Sequence, residues 1–596
     1  MIADRLKKLR EKMQEKNIAI YVVPTSDYHG SEYVGEYFKA RRFITGFTGS
    51  AGVAVITMDQ AGLWTDGRYF VQAAKQLEGT TVDLFKMGEE GVPTVDEFVA
   101  QTLKEGETIG FDGRVVDSKW GHALEEIANK KNGKVCSDYD LIDMIWEDRP
   151  EMSKEKVWIL DEKYSGESTQ SKIARVRKVM EENGASVHLL TSLYDISWLL
   201  NVRGNDISFV PVVLSYLVLT KDKCIWFLQQ EVLDDEVKEY LKSNNIETRE
   251  YNDFYKYVEE INSKETVLLN RATVNYRTIA LLDKNIKIVD KLEPTTLFKA
   301  AKNKTEVDNT RRAHVKDGVA MCKFMYWLKT NVGKIDMTEI SASDHLAALR
   351  AQQEGFLDLS FGTICGYDVH GAIVHYAATP ETDIPLEPRS LLLVDSGGHY
   401  LEGTTDITRT FALGPVTDEM KEDFTMICRS NMNLANMKFL YGCSGLNLDL
   451  AAREPLWERG LDFKHGTGHG VGYVLNVHEG PNGFRWRQVA ERNDSGVLEE
   501  GMITTDEPGV YLEGKYGIRT ENELVCRKGE KNEFGQFMYF ENITYCPIDL
   551  DAINPDLMTS VEKNRLNNYH KKVYEVISPY LEGEELEFLK KYTRAI

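Results

Sequence analysis

The sequence has few of the features that mark secreted or membrane proteins. Its eight cysteines are scattered along 596 residues and form no Cys-x-x-Cys pair. This pattern is typical of reduced thiols and argues against a disulfide framework or a zinc–cysteine site. The N-terminus is charged from Asp4 and Arg5 onward, and no apolar segment follows, so no secretory signal is predicted. We therefore expect a cytoplasmic protein.

Long apolar runs and an excess of positive charge are missing as well. The longest mostly apolar run, residues 209–219, is interrupted by Pro211 and Ser215 and is too short to cross a membrane. Acidic residues outnumber lysine and arginine by 94 to 72, which gives a formal net charge of −22. Nucleic acids and anionic membranes attract positively charged surfaces. We therefore expect neither of them as a partner.

The remaining composition is that of a folded protein, with 42% hydrophobic and 28% charged residues. A chain of this length is too long for a single core, and charged stretches near residues 148–163 and 292–304 divide it. We predict an N-terminal α/β domain at 1–160, a second α/β domain at 161–303 and a third domain at 304–596. The third should open with a helix capped by Thr305, with Asp308 three residues on, and its tail from Asn554 onward should form surface helices.

The first two domains repeat one order of elements. Each copy reads as a helix, a strand, an apolar stretch that turns near a glycine, and a second apolar strand. These elements fall at 2–13, 18–23, 42–49 and 51–58 in the first copy, and at 171–182, 186–190, 196–206 and 210–219 in the second. The order predicts a duplicated α/β unit. Because neither copy holds a cluster of histidines and carboxylates, we expect both to serve as a scaffold or lid.

Histidines concentrate in the third domain. Six of the 12 in the chain fall in one stretch, namely His370, His375, His399, His465, His469 and His478. His465 and His469 stand four residues apart among glycines at 466, 468, 470 and 472. Because so much glycine disfavours a helix, a loop or irregular strand is predicted there. Such a density of imidazoles beside acidic motifs indicates a hydrolytic metal site.

Carboxylates surround these histidines in short polar motifs. A buried strand ends at Asp395, and a second strand, joined to it by a turn, carries Asp406, so the two could lie side by side. Two further motifs supply Asp506, Glu507, Glu521 and Glu523, and a strand period of two puts Arg519, Glu521 and Glu523 on one face. One histidine with four carboxylates suits Mn²⁺, Co²⁺ or Zn²⁺. Two such dications would relieve the repulsion between the acids and activate a water.

At this point the motifs resemble a known family. The ordered set Asp395, Asp406, His469, Glu507 and Glu521 resembles the ligand signature of the pita-bread metallopeptidases, which include methionine aminopeptidase, prolidase and aminopeptidase P. The motifs at 371–376, 465–472 and 476–481 are similar to those of cytosolic aminopeptidase P, and the duplicated α/β unit is similar to its large, three-domain form. The resemblance implies an α/β (α+β) chain with two related N-terminal domains, followed by a pita-bread catalytic domain at 304–596 with a C-terminal helical extension.

The resemblance also implies roles for individual residues. Asp395 should bind one divalent ion, Asp406 and Glu521 should bridge two, and His469 and Glu507 should hold the second, whereas the position of Asp506 is not a ligand in the family. Mn²⁺ is the expected metal, with Co²⁺ or Zn²⁺ as alternatives. The other implied site residues are His375, His465 and His478 for substrate binding and proton transfer, Arg519 for orienting Glu521 or a substrate carbonyl, and Arg68 for reaching toward a catalytic site.

The implied reaction removes the N-terminal residue from peptides with proline second. A hydroxide that bridges the two metals attacks the scissile carbonyl, Glu507 takes its proton, and protonation frees the proline nitrogen. A homodimer is the family expectation. Two alternatives stay open, a prolidase that cuts only Xaa-Pro dipeptides and a non-catalytic peptide-binding relative. A nucleotide-binding interpretation of residues 466–472 is weaker, because the stretch has neither a phosphate-loop ending nor dinucleotide spacing.

Overall fold

The computed structural model describes residues 1–489 and 494–596. The chain divides into two compact units. The N-terminal unit comprises Met1–Ile159 and Glu167–Thr295, and the C-terminal unit comprises Leu160–Gly166 and Thr296–Ile596. The N-terminal unit therefore contains both predicted α/β copies. Among the described residues, no helix combines the length and the apolar character that a membrane span requires.

The first copy is a six-stranded sheet with helices around it. Its helices are α1 (Ile2–Glu15), α2 (Ala40–Thr45), α3 (Phe70–Leu77), α4 (Val95–Thr102) and α5 (Ser118–Asn129). Its strands are β1 (Ile20–Pro24), β2 (Val53–Thr57), β3 (Ala61–Thr65), β4 (Asp83–Lys86), β5 (Thr108–Phe111) and β6 (Lys134–Cys136). Helix α1 buries Leu6, Leu9 and Met13, as their 3.6-residue spacing predicts.

The second copy follows after strand β7 (Trp158–Ile159) and helix α6 (Glu162–Ser165), the latter within the C-terminal unit. Its helices are α7 (Thr169–Glu182), α8 (Leu193–Leu200), α9 (Asp235–Ser243), α10 (Asp253–Glu259) and α11 (Tyr276–Leu281). Its strands are β8 (Val187–Leu190), β9 (Val202–Arg203), β10 (Ser215–Thr220), β11 (Cys224–Leu228), β12 (Ile246–Glu250), β13 (Thr266–Leu269) and β14 (Lys287–Asp290). Helix α12 (Pro294–Ala300) then leads into the C-terminal part of the chain.

The two sheets share one topology, which confirms the predicted relationship between the copies. The strand orders are β4-β3-β2-β1-β5-β6 and β12-β11-β10-β8-β13-β14. In each, the first strand pairs antiparallel with the second and parallel with the fifth, and the outer pairs are parallel. The two copies also pair with each other at equivalent positions. Asp117, directly before α5, forms an isolated β-bridge with Asn275, directly before α11.

One detail of the duplicated unit differs from the prediction. The apolar stretches expected to be turns are largely the short helices α2 and α8. Gly46 ends α2 with a φ of +81°, and Asn201 ends α8 with a φ of +51°. Both are left-handed caps, a conformation that glycine and asparagine adopt readily. The residue that ends each stretch, a glycine in the first copy and an asparagine in the second, therefore marks a helix end. A pattern of apolar residues alone does not distinguish such an end from a turn.

In its described residues, the C-terminal unit contains four sheets with helices packed around them. Its strands are β15 (Phe356–Leu359), β16 (Ile364–Tyr367), β17 (Leu391–Ser396), β18 (Gly398–Tyr400), β19 (Gly403–Thr404), β20 (Ile407–Ala412), β21 (Lys438–Leu440), β22 (Gly468–Gly470), β23 (Glu479–Phe484), β24 (Ile503–Asp506), β25 (Gly509–Leu512), β26 (Tyr516–Arg519), β27 (Asn522–Asn532) and β28 (Gly535–Asn542). The sheet orders are β15-β18-β19, β16-β17-β20, β21-β28-β27-β24-β22-β23 and β25-β26.

Seven α-helices surround these sheets in the described part of the unit after α12. They are α13 (Lys304–Asn331), α14 (Glu339–Ala351), α15 (Asp418–Ala435), α16 (Gly445–Leu448), α17 (Leu450–Trp457), α18 (Ser560–Ile577) and α19 (Gly583–Tyr592). Helix α13 starts two residues earlier than predicted. Its cap is Asn303, whose side chain accepts from the backbone N–H of Glu306, and Glu306 bonds back to the cap. Thr305 instead lies inside the first turn.

The helices of the tail are more than a charged surface. Helix α18 buries Leu566, Val573 and Ile577, and the last two pack in one core cluster with Val319 of α13. In the sequence, the charged residues of this helix predict an exposed surface. Its apolar residues, however, recur at helical spacing and pack the helix against the rest of the unit. This packing ties the chain's last residues to the helix that precedes the candidate site.

Candidate active site

Strand pairing brings the five predicted ligand positions into one region of the C-terminal unit. Asp395, near the end of β17, lies opposite Thr408 on β20, so Asp406 sits just before the strand that flanks it. Strand β24 pairs with β22, which carries His469, and with β27, where Asp506 lies opposite Asn522. Glu507 and Glu521 directly follow and precede that last pair. The ligand positions therefore lie where strands of two sheets end together.

The closest contacts centre on His469. Its Nε2 lies 3.4 Å from an Asp406 carboxylate oxygen and 3.8 Å from one of Glu507. Asp406, His469 and Glu521 each offer a ligand atom, and these atoms lie within 4.8 Å of one another. We call the four carboxylates Asp395, Asp406, Glu507 and Glu521 the acidic cluster. All five positions are gathered, although their roles as ligands stay a prediction.

The hydrogen-bonding state of these groups fits a bound cation. His469 Nδ1 lies 2.9 Å from the Gly470 carbonyl oxygen. A carbonyl only accepts, so Nδ1 carries a proton, and Nε2 is the ring nitrogen that faces the carboxylates. One buried oxygen each of Asp395 and Asp406 has no hydrogen-bond partner among the described residues. Lone pairs converging in this way repel unless a cation lies between them, and one nitrogen with several oxygens suits a divalent metal.

The pKa values of the acidic cluster support the same interpretation. Burial raises the pKa of Asp406 and of Glu521 well above the ordinary range, and the neighbouring carboxylates raise both further. Burial also raises the pKa of Glu507. Acids that resist ionisation when buried together lose that resistance when a dication neutralises them. Asp506 is also buried, on β24, and burial raises its pKa; that its position is not a ligand stays a prediction.

Arg519 contacts a different carboxylate from the one expected. Its Nη2 donates to an Asp395 oxygen at 2.6 Å, and its Nη1 donates to the Tyr511 hydroxyl at 2.7 Å. It reaches Glu521 only through Thr408, whose hydroxyl accepts from Arg519 Nε at 3.1 Å and donates to Glu521 at 2.7 Å. The guanidinium is buried and fixed on three sides.

The predicted strand through Arg519, Glu521 and Glu523 is broken, which corrects that expectation. Strand β26 ends at Arg519 and β27 begins at Asn522, and the two belong to different sheets. Glu521 thus lies in the crossing between sheets rather than on a strand face. Glu523 accepts from the backbone N–H of Asp406 at 2.7 Å, and its other oxygen lies 3.0 Å from His314 Nε2.

The three further histidines border the acidic cluster to different degrees. His465 Nδ1 donates to the Gly466 carbonyl at 2.7 Å and its Nε2 lies 2.8 Å from the Tyr511 hydroxyl. Burial lowers the pKa of His465 to about 3, so the ring is neutral. The His478 ring stands edge-on to the ring of His469, with centroids 4.3 Å apart. His375 is half-buried and follows Val374, whose carbonyl accepts from Arg519 at 3.4 Å.

Arg68 lies in the N-terminal unit. It follows β3 and forms a bidentate pair with Asp66, at 2.8 and 2.7 Å. Its guanidinium also lies over the Tyr69 ring, 5.2 Å from the centroid. The proposed role in substrate binding stays a prediction.

Sequence reasoning missed two residues that hold the site together. Tyr511 donates to His465 and accepts from Arg519, and Thr408 links Arg519 to Glu521. Both stand inside motifs that the sequence analysis singled out, four residues after Glu507 and two after Asp406. Their polar character within predicted strands was the available signal. Their partners, however, lie far away in sequence or on another strand.

Comparison with protein families covers nearly the whole chain. The model of metallopeptidase family M24 matches residues 308–528, and that of its C-terminal region matches 536–596. Two models of the creatinase/prolidase N-terminal domain match residues 5–145 and 148–306. The duplicated arrangement seen in the fold therefore has a counterpart in known families.

Individual relatives match over nearly the whole of this chain. A probable Xaa-Pro aminopeptidase P of Neurospora crassa is 38% identical over 601 residues, which cover 98% of this chain and 87% of the relative. Aminopeptidase P2 of Arabidopsis thaliana is 36% identical, with the same coverage of 98% and 87%. The crystal structure of X-prolyl aminopeptidase from Caenorhabditis elegans, a cytosolic enzyme with a di-nuclear active site, is 32% identical with a TM-score of 0.94 and covers 100% of both chains. These matches confirm the predicted fold class, including the pita-bread domain.

Proposed function

The chain belongs to the Xaa-Pro aminopeptidase P members of metallopeptidase family M24, and from this we propose that it removes the N-terminal residue from peptides with proline in second position. The observation that carries the proposal is the convergence of His469 with the acidic cluster. It brings the Nε2 of His469 together with two buried carboxylate oxygens that have no hydrogen-bond partner among the described residues, at a site bordered by imidazoles. Full-length similarity to aminopeptidases P, rather than to the catalytic domain alone, supports this substrate class.

We propose that the five predicted ligands hold two divalent ions, with Asp406 and Glu521 shared between them. Their oxygen-rich donor set favours Mn²⁺, with Co²⁺ or Zn²⁺ as alternatives. Bound there by these residues, two divalent ions would supply the Lewis-acid chemistry that activates a water for attack and polarises a carbonyl. Two ions also explain why four buried carboxylates are tolerated at one place.

The chain's own residues then have the following roles. Glu507, whose pKa burial raises, is suited to take the proton from the attacking water. Neutral His465 and the half-buried His375 and His478 bind the peptide, carry a proton to the departing proline nitrogen and steady the tetrahedral intermediate. Arg519 fixes Asp395, and through Thr408 it helps to orient Glu521. Because proline offers no N–H, recognition of the second residue must rest on shape and on these imidazoles.

Further features of the proposal concern assembly and location. We propose a homodimer, since Trp457 and Trp486 form an edge-to-face pair, with centroids 6.0 Å apart, that is about two-fifths exposed on the C-terminal unit. A cytoplasmic location agrees with eight free cysteines and with the cytosolic C. elegans relative. The domain boundaries at 160/161 and 303/304 and the substrate-binding role of Arg68 also remain part of the proposal.

Cleavage of Xaa-Pro-Xaa tripeptides compared with Xaa-Pro dipeptides tests the proposal. Chelated protein re-supplied with Mn²⁺ should cleave tripeptides, and His469→Ala should not. His345→Ala is the matched control, because that ring stacks on Trp327 at 3.9 Å, and it should keep activity. Cleavage of dipeptides alone would indicate a prolidase. Failure to cleave either substrate with metal bound would favour a peptide-binding relative.

A further inference from the structure

A short buried loop carries His478 to the candidate site. It joins β22 to β23 and comprises residues 471–478, which we call the 471–478 loop. Most of its residues are buried, and Val474 takes a left-handed φ of +49°, which is costly for a β-branched residue. The backbone N–H of Val474 donates to Thr404 at 3.0 Å. Such a loop needs firm support at its ends.

The strand pairing at the base of this loop is irregular. On β22, His469 lies opposite Gly483, but the next residue, Gly470, lies opposite Glu479. The register therefore shifts between two adjacent residues, and one of them is the predicted ligand. The Gly470–Glu479 pair joins the two ends of the loop, but the register shift beside it interrupts the ladder. A further group reinforces this junction.

Lys302 supplies that group. Its side chain is fully buried, and its Nζ donates to the Val471 carbonyl at 2.5 Å and to a Glu479 carboxylate oxygen at 2.6 Å. The two acceptors stand at opposite ends of the 471–478 loop. The Lys302 backbone is itself fixed, because its N–H donates to the Gly501 carbonyl at 3.1 Å. One ammonium thus holds both ends of the loop together.

A buried ammonium is retained only where acceptors compensate its lost hydration. Here a carbonyl and a carboxylate do so, and Lys299 Nζ lies 3.5 Å from the other Glu479 oxygen. Glu479 directly follows His478, and the His478 ring stands against that of His469. Any shift of Glu479 therefore moves the ring of His478 relative to the predicted metal ligand.

We infer that Lys302 is a positioning residue of this enzyme, which clamps the 471–478 loop so that His478 stays against His469. The catalytic part of this inference rests on the proposed function. The clamp itself does not, because it concerns the loop alone. Lys302 lies only six residues after Thr296, where the C-terminal unit resumes, so the segment that enters this unit holds its active-site loop.

Hydrogen exchange of the full-length protein tests the clamp. In Lys302→Met, amides of residues 471–479 should exchange at least about tenfold faster, because opening that loop no longer breaks two charge-assisted hydrogen bonds. Lys304→Met is the matched control, because its ammonium pairs with Asp308 on the exposed surface, and it should leave the exchange unchanged. Unchanged exchange in Lys302→Met would overturn the inference. Glu479→Gln serves as the second variant if Lys302→Met does not fold, and it should speed exchange in the same region.

Kinetics test the positioning role. Lys302→Met should lower kcat for an Xaa-Pro-Xaa tripeptide by about 10- to 100-fold, with KM within threefold of the parent value. In a His478→Ala background the same substitution should add less than a threefold loss, since the residue it positions is gone. An equal loss in both backgrounds would refute positioning through His478. If the unaltered protein cleaves no peptide, the proposed function fails, and the exchange experiment still decides whether Lys302 holds the loop.

Discussion

The hydroxyl of Thr408 offers a sharp test of how the acidic cluster is held. It lies on β20 and is fully buried. It donates to Glu521 at 2.7 Å and accepts from Arg519 Nε at 3.1 Å. Thr408→Val replaces the hydroxyl with a methyl of nearly the same size and keeps a β-branched residue in the strand. The substitution therefore removes two polar contacts with little change in packing.

The expected magnitude follows from the geometry. A methyl carbon needs about 3.5 Å to a neighbouring atom, so the Glu521 oxygen now at 2.7 Å must retreat by about 0.8 Å. The carboxylate also loses a charge-assisted hydrogen bond, worth about 1.5–3 kcal/mol. Since 1.4 kcal/mol is about a factor of ten in affinity, Mn²⁺ should bind about 10- to 100-fold more weakly.

Calorimetric titration of chelated protein with Mn²⁺ measures this effect directly. Thr410→Val is the matched control, because Thr410 lies on the same strand and face and is equally buried. Its hydroxyl bonds only to the backbone N–H and carbonyl of Arg519, so its loss should destabilise the protein without weakening metal binding. If Thr408→Val binds Mn²⁺ within twofold of the unaltered protein, or no more weakly than Thr410→Val, the hydroxyl does not position Glu521.

Three further predictions follow from the same contacts. Tyr511→Phe removes the hydroxyl between Arg519 and His465 and should lower kcat/KM for tripeptides about tenfold, with unchanged Mn²⁺ affinity; weaker metal binding would contradict this role. The raised pKa of Asp406 means that the metal-free fold is favoured below pH about 4 and loses this stability as pH rises through the raised value. In urea unfolding of the chelated proteins, raising the pH should therefore lower the free energy of unfolding less in Asp406→Asn than in the unaltered protein. An equal decrease in both proteins would refute a raised pKa at Asp406. Asn303→Ala removes the α13 cap and should lower the free energy of unfolding by about 1 kcal/mol, whereas Asn244→Ala, at the C-terminal end of α9 where the side chain is half-buried, should change it less.

The sequence was sufficient for the features that repeat or stand in a fixed order. The duplicated unit could be predicted because helix and strand periods are local properties, and the two sheets indeed share a strand order. The sequence also indicated that five polar positions would lie close together, because their motifs resemble a family whose members keep them in order; their roles as ligands stay a prediction. The pattern predicts turns where helices α2 and α8 lie, because a short apolar stretch that ends in a left-handed residue is found both in turns and at the ends of short helices.

The supporting contacts could not be predicted in the same way. Lys302 binds a carboxylate 177 residues away, and Arg519 binds one 124 residues away. No periodicity connects such partners, and a buried lysine looks like a surface lysine in sequence. The break between β26 and β27 has a similar cause, since alternation of polar residues predicts one strand but does not show that the chain changes sheets at Glu521.

Two segments of the C-terminal unit support each other's proposed ligands. The first, residues 406–409, carries Asp406 and also Thr408, which holds the Glu521 side chain, while Arg409 donates to the Glu521 carbonyl at 2.6 Å. The second, residues 519–523, carries Glu521 and also Glu523, which accepts from the Asp406 backbone. Each segment therefore presents one carboxylate and contacts the residue that carries the other, at its side chain in Glu521 and at its backbone in Asp406.

This reciprocity explains why both motifs are so polar within buried strands. A buried hydroxyl or carboxylate without a partner costs free energy, and these contacts satisfy the Thr408 hydroxyl, one oxygen of Glu521 and one oxygen of Glu523. It also means that the two carboxylates predicted to bridge the metals cannot move independently: a shift of one segment displaces the group that orients the opposite ligand. The spacing between Asp406 and Glu521 is thus set by the protein before any metal binds, which is the condition for a preorganised two-metal site.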